Sequence, residues 1–298
     1  MDIRVYVGPH RTASKHLASI LYNNAELLDD VDTVFYSSPR NTLRHINSAI
    51  KAIANGGDET DVRGQLMHSL TYGRDDKKRL LLVNPNVVGN VTHPFGKELF
   101  YPRTSGLIYQ LQKLFPDNRL QLFSSTRNPA TFLPSCYAQS LMAASFASYS
   151  EFLAEVNLTN LKWSPFLQRL QGKQKDIPLT VWRYEDYPYI WRDVAQVFSG
   201  IPNSQELRGS SAPVNKSLTL KGAQLLNKYI EDQPPRTRED FERTTETFLK
   251  KFPSSPNEIV GPDWPPDLVQ KLIDNYEDDW YYIERMEGVE TIQPRQFG

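Results

Sequence analysis

Apolar residues fall into two rhythms along this chain. Short runs at 3–7, 33–37, 80–83, 120–126 and 178–184 are β-rich or continuously apolar, as in Ile3-Arg4-Val5-Tyr6-Val7 and Leu80-Leu81-Leu82-Val83. Between them, apolar side chains return every three or four positions. Leu43, Ile46, Ile50 and Ile53 share one face of a helix predicted over 42–54; Leu66 and Leu70 do so over 62–70, and Leu107, Leu111 and Leu114 over 105–114. A helix opens after the first strand, and a long one with Phe132, Cys136, Tyr137 and Leu141 follows Pro129. Further helices are predicted over 150–156, 163–170, 190–198, 220–229, 241–252 and 268–276.

Strands that alternate with helices predict an α/β fold, a doubly wound, mostly parallel sheet flanked by helices. A continuous apolar run such as 80–83 is what a parallel strand buried on both faces requires. Ligands of such sheets bind outside the carboxyl ends of the strands. That rule gathers residues 8–15, residues 84–86, Arg127 and Glu185. No internal repeat and no long linker divides the chain, so one domain is expected over 1–298, with a polar, helical and loop-rich part from about residue 203 onwards.

Bulk properties narrow the function classes. The chain has 298 residues, 39% hydrophobic and 23% charged, which is a globular composition. A formal net charge of −1 gives no global attraction for nucleic acid or acidic membranes, so any anion site must be local. The single cysteine, Cys136, excludes an intramolecular disulfide and a cysteine-rich metal site. No stretch reaches the roughly 18 apolar residues of a membrane span, and the first strand begins without a signal-peptide pattern. The expectation is a soluble, cytoplasmic protein without a metal.

The chemistry concentrates at the start. Gly8-Pro9-His10-Arg11-Thr12-Ala13-Ser14-Lys15 links the first strand to the first helix. The leading N–H groups of a helix lack internal partners, and the helix dipole favours negative charge there. Arg11 and Lys15 add positive charge; Thr12 and Ser14 add hydroxyls. The stretch reads as a phosphate cradle, although the same residues suit an ordinary strand and helix joined by a solvated basic loop. The G-x-x-x-x-G-K-[ST] pattern is not present.

Two further strand ends complete a set: Ser125-Thr126-Arg127-Asn128-Pro129 with Ser135-Cys136-Tyr137-Ala138-Gln139 beyond it, and Trp182-Arg183-Tyr184-Glu185-Asp186. In this order, and with Val214-Asn215-Lys216-Ser217-Leu218 and Asp279-Trp280-Tyr281 later on, the chain resembles the sulfotransferases that use 3′-phosphoadenosine 5′-phosphosulfate. It is most similar to the bacterial branch with a G-P-H-K-T-G-T-[TS] loop. The resemblance implies a P-loop-like sulfotransferase fold. It implies that Arg11, Thr12, Ala13, Ser14 and Lys15 wrap the 5′-phosphosulfate, that Arg127 and Ser135 hold the 3′-phosphate, and that Asn215 and Ser217 close over the nucleotide. The family's usual Lys is here Arg11, which exchanges a point charge for a planar fork. The family's Gly is Ala13, which requires either an ordinary backbone angle or strain.

Sulfuryl transfer to an alcohol also needs a group that accepts the hydroxyl proton. In the bacterial relatives a Glu follows the second buried strand; the matching run here is Val83-Asn84-Pro85-Asn86-Val87-Val88-Gly89, with Pro85 at that place. His93, in the loop leaving the same strand, is the first alternative, with His10, His16 and Glu98 behind it. His10, inside the loop, and Arg11 are also placed to polarise the sulfuryl group or the bridge oxygen. The expected activity is transfer from 3′-phosphoadenosine 5′-phosphosulfate to a hydroxyl, or an amine, of a small molecule or saccharide. A non-catalytic nucleotide-binding relative and a P-loop-type kinase are the other readings. Tyr36, Phe95, Phe100, Tyr101, Phe146 and Tyr149 are candidate acceptor-pocket aromatics.

Overall fold

The computed structural model describes residues 1–92, 94–96, 98–142, 149–153, 156–172, 176–209, 218–253 and 264–295. Its strands are β1 (Asp2–Gly8), β2 (Thr33–Tyr36), β3 (Arg79–Val83), β4 (Arg119–Thr126), β5 (Leu179–Arg183) and β6 (Val289–Thr291). They form one sheet in the order β2-β3-β1-β4-β5-β6, every pair parallel. The helices are α1 (Ser14–Asn23), α2 (Ala25–Asp30), α3 (Pro39–Ala54), α4 (Glu59–Leu70), α5 (Thr104–Leu114), α6 (Pro129–Met142), α7 (Tyr149–Leu153), α8 (Ser164–Leu170), α9 (Tyr187–Ser199), α10 (Leu220–Asp232), α11 (Arg238–Lys251) and α12 (Pro266–Ile283).

Successive strand residues point to opposite faces, and the sequence loads both with apolar side chains. Ile3, Val5 and Val7 of β1, with Leu80 and Leu82 of β3, Leu122 of β4 and Val181 of β5, face a core built with α3, α4, α5, α6, α8 and α12. Tyr6, Leu81, Val83, Phe123 and Trp182 face a second core closed by α1, α2 and α9. The expected parallel α/β sheet is therefore present, with helices on both faces. A third, smaller cluster joins Tyr137 and Ala138 of α6 to Ala223, Leu226 and Ile230 of α10.

The order of the strands fixes where a ligand can enter. The connection leaving β1 runs through α1 on one face; the connection leaving the adjacent β3 runs through α5 on the other. A crevice opens at the carboxyl ends of two such strands. The chain also differs from expectation in detail. A six-residue helix, α2, and a three-residue edge strand, β6, were not legible as periodic segments. α12 extends well past 268–276, because Tyr276, Trp280 and Ile283 all bury into the main core.

Candidate functional site

β1 ends in a loop drawn tightly over the sheet. Gly8 sits at φ 103, and a Cβ there would stand 2.8 Å from the Pro85 Cβ in the short helical turn Pro85–Val87 after β3. Both the backbone angle and the contact demand glycine. Inside the loop the Thr12 hydroxyl donates to the Pro9 carbonyl at 2.6 Å. The buried Tyr6 hydroxyl meets the Thr12 hydroxyl at 2.7 Å and Ser125 at 2.9 Å. Burial pushes the Tyr6 phenol up to about 12, so it holds its proton and works as a fixed strut. Thr12 thus spends its side chain on the loop, 1% exposed, and the groups facing outward are those of His10, Arg11, Ser14 and Lys15.

Ala13 resolves one expectation in favour of strain. It precedes α1 at φ 66, ψ 18, in the left-handed region. An L-residue with a Cβ pays about 1–2 kcal/mol there. An Ala13→Gly variant should be stabilised by about 0.5–1 kcal/mol, the relief being partly offset by the freer unfolded chain. A chemical-denaturation midpoint that falls instead would show that the Ala13 methyl contact with the second core outweighs the strain.

Arg11 and Arg127 converge on one hydroxyl. Arg11 Nε donates to Ser135 Oγ at 2.9 Å, and Arg127 Nη1 reaches the same oxygen at 3.3 Å. Arg127 Nη1 also donates to the Arg11 carbonyl at 2.7 Å and its Nε to Thr131 Oγ1 at 3.0 Å, while Tyr184 lies under the guanidinium at 4.5 Å. Arg11 Nη1 reaches Gln139 Oε1 at 3.0 Å. Arg127 is 6% exposed, and among the described residues no carboxylate pairs with it. Burial, then the charge of Arg127, lowers the Arg11 pKa. Two close, desolvated cations repel each other, and a bound oxyanion would cancel that cost.

These residues open on a cleft of about 460 Å³. Its wall is completed by Ala18, Pro39, Arg40, Val83, Pro85, Asn86, Val91 and Gln139. Arg11, Lys15 and Arg40 give it three cations, and none of these lining residues is acidic. His10 sits at its base, its backbone N–H and Nδ1 on the Tyr101 hydroxyl at 3.1 and 2.9 Å and its Nε2 on Asn86 Oδ1 at 3.0 Å. Burial, then the Arg11 charge, pushes the His10 pKa down; the Asn86 contact opposes the shift.

The structure brings together His10, Arg11, Thr12, Ala13, Ser14, Lys15, Arg127 and Ser135, although they span three strand ends and helices. His93, Asn215, Ser217 and Phe146 lie outside the described residues. His16 is buried in the second core, where its Nδ1 meets the Tyr187 hydroxyl at 2.9 Å. Glu98 is exposed and contacts Asn160, away from the cleft lining. Arg183 pairs with Glu277. Glu185 instead receives the Asn128 N–H at 2.9 Å and the Tyr276 hydroxyl at 3.0 Å, bracing the turn after β4. Among the aromatics, Phe100 stacks on Trp163 at 3.8 Å and Tyr36 on Tyr72 at 4.9 Å. Phe95 and Tyr149 both pack on Phe152. Among the described residues no group of three or more His, Cys, Asp or Glu side chains is arranged to hold a metal. No helix among them is long and apolar enough to cross a membrane.

Sequence reasoning assigned no role to Gln139, Tyr6 or Asn86. Gln139 was within reach, because it lies one helical turn after Ser135 and so shares its face. No known protein-family model matches this chain, and no curated protein matches it.

Proposed function

We propose that this chain is a sulfotransferase that moves a sulfuryl group from 3′-phosphoadenosine 5′-phosphosulfate to a hydroxyl, or less readily an amine, of a small molecule or saccharide. The observation that carries the reading is the convergence of Arg11 and Arg127 on Ser135 beside a cationic cleft, at the switch point of the sheet, whose described lining carries no carboxylate. The donor nucleotide carries two separated anionic groups, a 3′-phosphate and a 5′-phosphosulfate. Arg127 and Ser135 would grip the first. The loop N–H groups, Arg11, Ser14 and Lys15 would hold the second and steady the negative charge that grows on the bridge oxygen as the sulfuryl group leaves, a task of position and electrostatics. Within this reading, His93, Asn215 and Ser217 keep the roles that the family resemblance implies, and the compartment is the cytoplasm.

One observation favours a second reading. Pro85 lines the cleft against the loop, and its side chain offers no proton acceptor. A protein that binds the nucleotide without transferring sulfate fits that feature.

Adding 3′-phosphoadenosine 5′-phosphate should raise the melting temperature. Ligand at a hundred times its dissociation constant contributes about 2.7 kcal/mol, roughly 5 °C for a chain of this size. No shift at millimolar nucleotide, with the fold intact, would sink the assignment. A larger response to ATP with magnesium would point to a kinase. A shift without sulfuryl transfer to a broad acceptor panel would select the binding protein.

A further inference from the structure

We propose that Tyr101 fixes His10 as an uncharged imidazole with its proton on Nε2, so that the loop presents a neutral hydrogen-bond donor, not a base, to a bound oxyanion. Tyr101 is then a positioning residue, 91 residues away in sequence. The proposal deepens the function given above and rests on it only for the identity of the anion.

The Tyr101 hydroxyl accepts the His10 backbone N–H at 3.1 Å. It is fully buried, so its own proton needs an acceptor. Among the described residues the one polar atom it meets besides that N–H is His10 Nδ1, at 2.9 Å. Nδ1 must therefore be the unprotonated nitrogen, and the ring proton sits on Nε2. The other end agrees: Nε2 stands 3.0 Å from Asn86 Oδ1, an acceptor. Asn86 itself sits in the turn after β3, its backbone N–H tied to the Asn84 side chain at 3.1 Å. A second proton on His10 would set an N–H against the Tyr101 O–H and orphan one of them in a buried site.

The charges around the ring push the same way. Arg11 precedes α1 in the loop itself, Lys15 lies on α1, and Arg40 lies on α3 across the cleft. Tyr101 and Asn86, from the other elements against the ring, bring no charge. Burial above all, and the charge of Arg11, lower the His10 pKa from its ordinary value of 6.5 against the opposing Asn86 hydrogen bond. The sign follows. His10 stays neutral at pH 7, and its contribution to stability is present above about 6.5 and lost as pH falls through the folded-state value. Asn86 is exposed, so its amide can yield Nε2–H to a phosphate or sulfuryl oxygen in the cleft.

Nitrogen NMR of histidine-labelled protein without ligand tests the placement, with the His10 signals identified by their loss in His10→Gln. The expected spectrum near pH 7 shows Nδ1 unprotonated and Nε2 protonated. The opposite tautomer, or a ring carrying both protons, overturns the proposal. In Tyr101→Phe, both tautomers should become populated and the His10 titration should move up toward its ordinary value, while the other histidines are unchanged. An unaltered His10 spectrum in a folded Tyr101→Phe protein also overturns it; should that variant not fold, the unmodified protein decides. Adding 3′-phosphoadenosine 5′-phosphate should then move the Nε2–H signal and leave the tautomer in place. A tautomer as stated with no nucleotide response would leave the proton placement standing and remove the sulfotransferase reading.

Discussion

Replacing Arg127 by Met is expected to lower affinity for 3′-phosphoadenosine 5′-phosphate by about 2–4 kcal/mol, roughly 30- to 1,000-fold, and to leave the unliganded fold almost as stable as before. The two halves of this prediction come from the same geometry. Arg127 is nearly buried and lies close enough to Arg11 to depress the Arg11 pKa. A desolvated cation beside another cation contributes little to an empty protein. Met keeps the apolar stem of the side chain and gives up the guanidinium over Tyr184 and the donors to the Arg11 carbonyl, Thr131 and Ser135. Losing those donors leaves neutral acceptors short of a partner, at about 1–3 kcal/mol, part of which relief of the Arg11–Arg127 repulsion offsets. Isothermal calorimetry and urea unfolding on the same preparation separate the effects. A variant destabilised by several kcal/mol would show that Arg127 is a structural brace. Unchanged affinity would show that the phosphate sits elsewhere.

The parts of this site that could be read in the sequence are those whose partners are close in the chain or set by strand ends. Arg127 at the end of β4 and Ser135 two turns into α6 are eight residues apart, and that spacing survives as a contact. The run Leu80–Val83 announced a strand buried on both faces, and it lies beside β1 as such a strand should. What was hidden depends on distant pairings that leave no period. Tyr101 was a candidate lining of an acceptor pocket; it lies behind the loop and orients His10. Asp279 belonged to a C-terminal match; its carboxylate accepts the Trp163 N–H at 2.6 Å and the Ser164 N–H at 3.1 Å, starting α8 from 116 residues away. The place of Thr12 in the loop marked it as a phosphate ligand; it lines the cleft, and its hydroxyl donates to the Pro9 carbonyl and meets Tyr6, a partner in the second core that no local period announces. Local pattern reports which face a side chain takes; it does not report what stands on that face.

Gly8→Ala should lose about 2–6 kcal/mol in unfolding free energy. Two independent terms add. The angle φ 103 is one that L side chains rarely adopt, at about 1–3 kcal/mol. The new Cβ would also stand 2.8 Å from the Pro85 Cβ and 3.3 Å from the His10 backbone nitrogen. Overpacking of that kind costs about 1–3 kcal/mol. Neither neighbour can yield easily. Asn84, just before Pro85, is held by its side-chain N–H to the Pro39 carbonyl at 3.0 Å, and the Gly8 carbonyl is held by Ser124 Oγ at 2.8 Å. The terms can be split with Pro85→Gly, which removes the ring but not the angle. The double variant should recover about 1–3 kcal/mol relative to Gly8→Ala alone, as an interaction energy in a mutant cycle. A Gly8→Ala protein within about 1 kcal/mol of the original would mean that the loop can relax away from Pro85. It would then also be free to move Arg11 and His10, and the preorganisation on which the proposed anion binding depends would be absent.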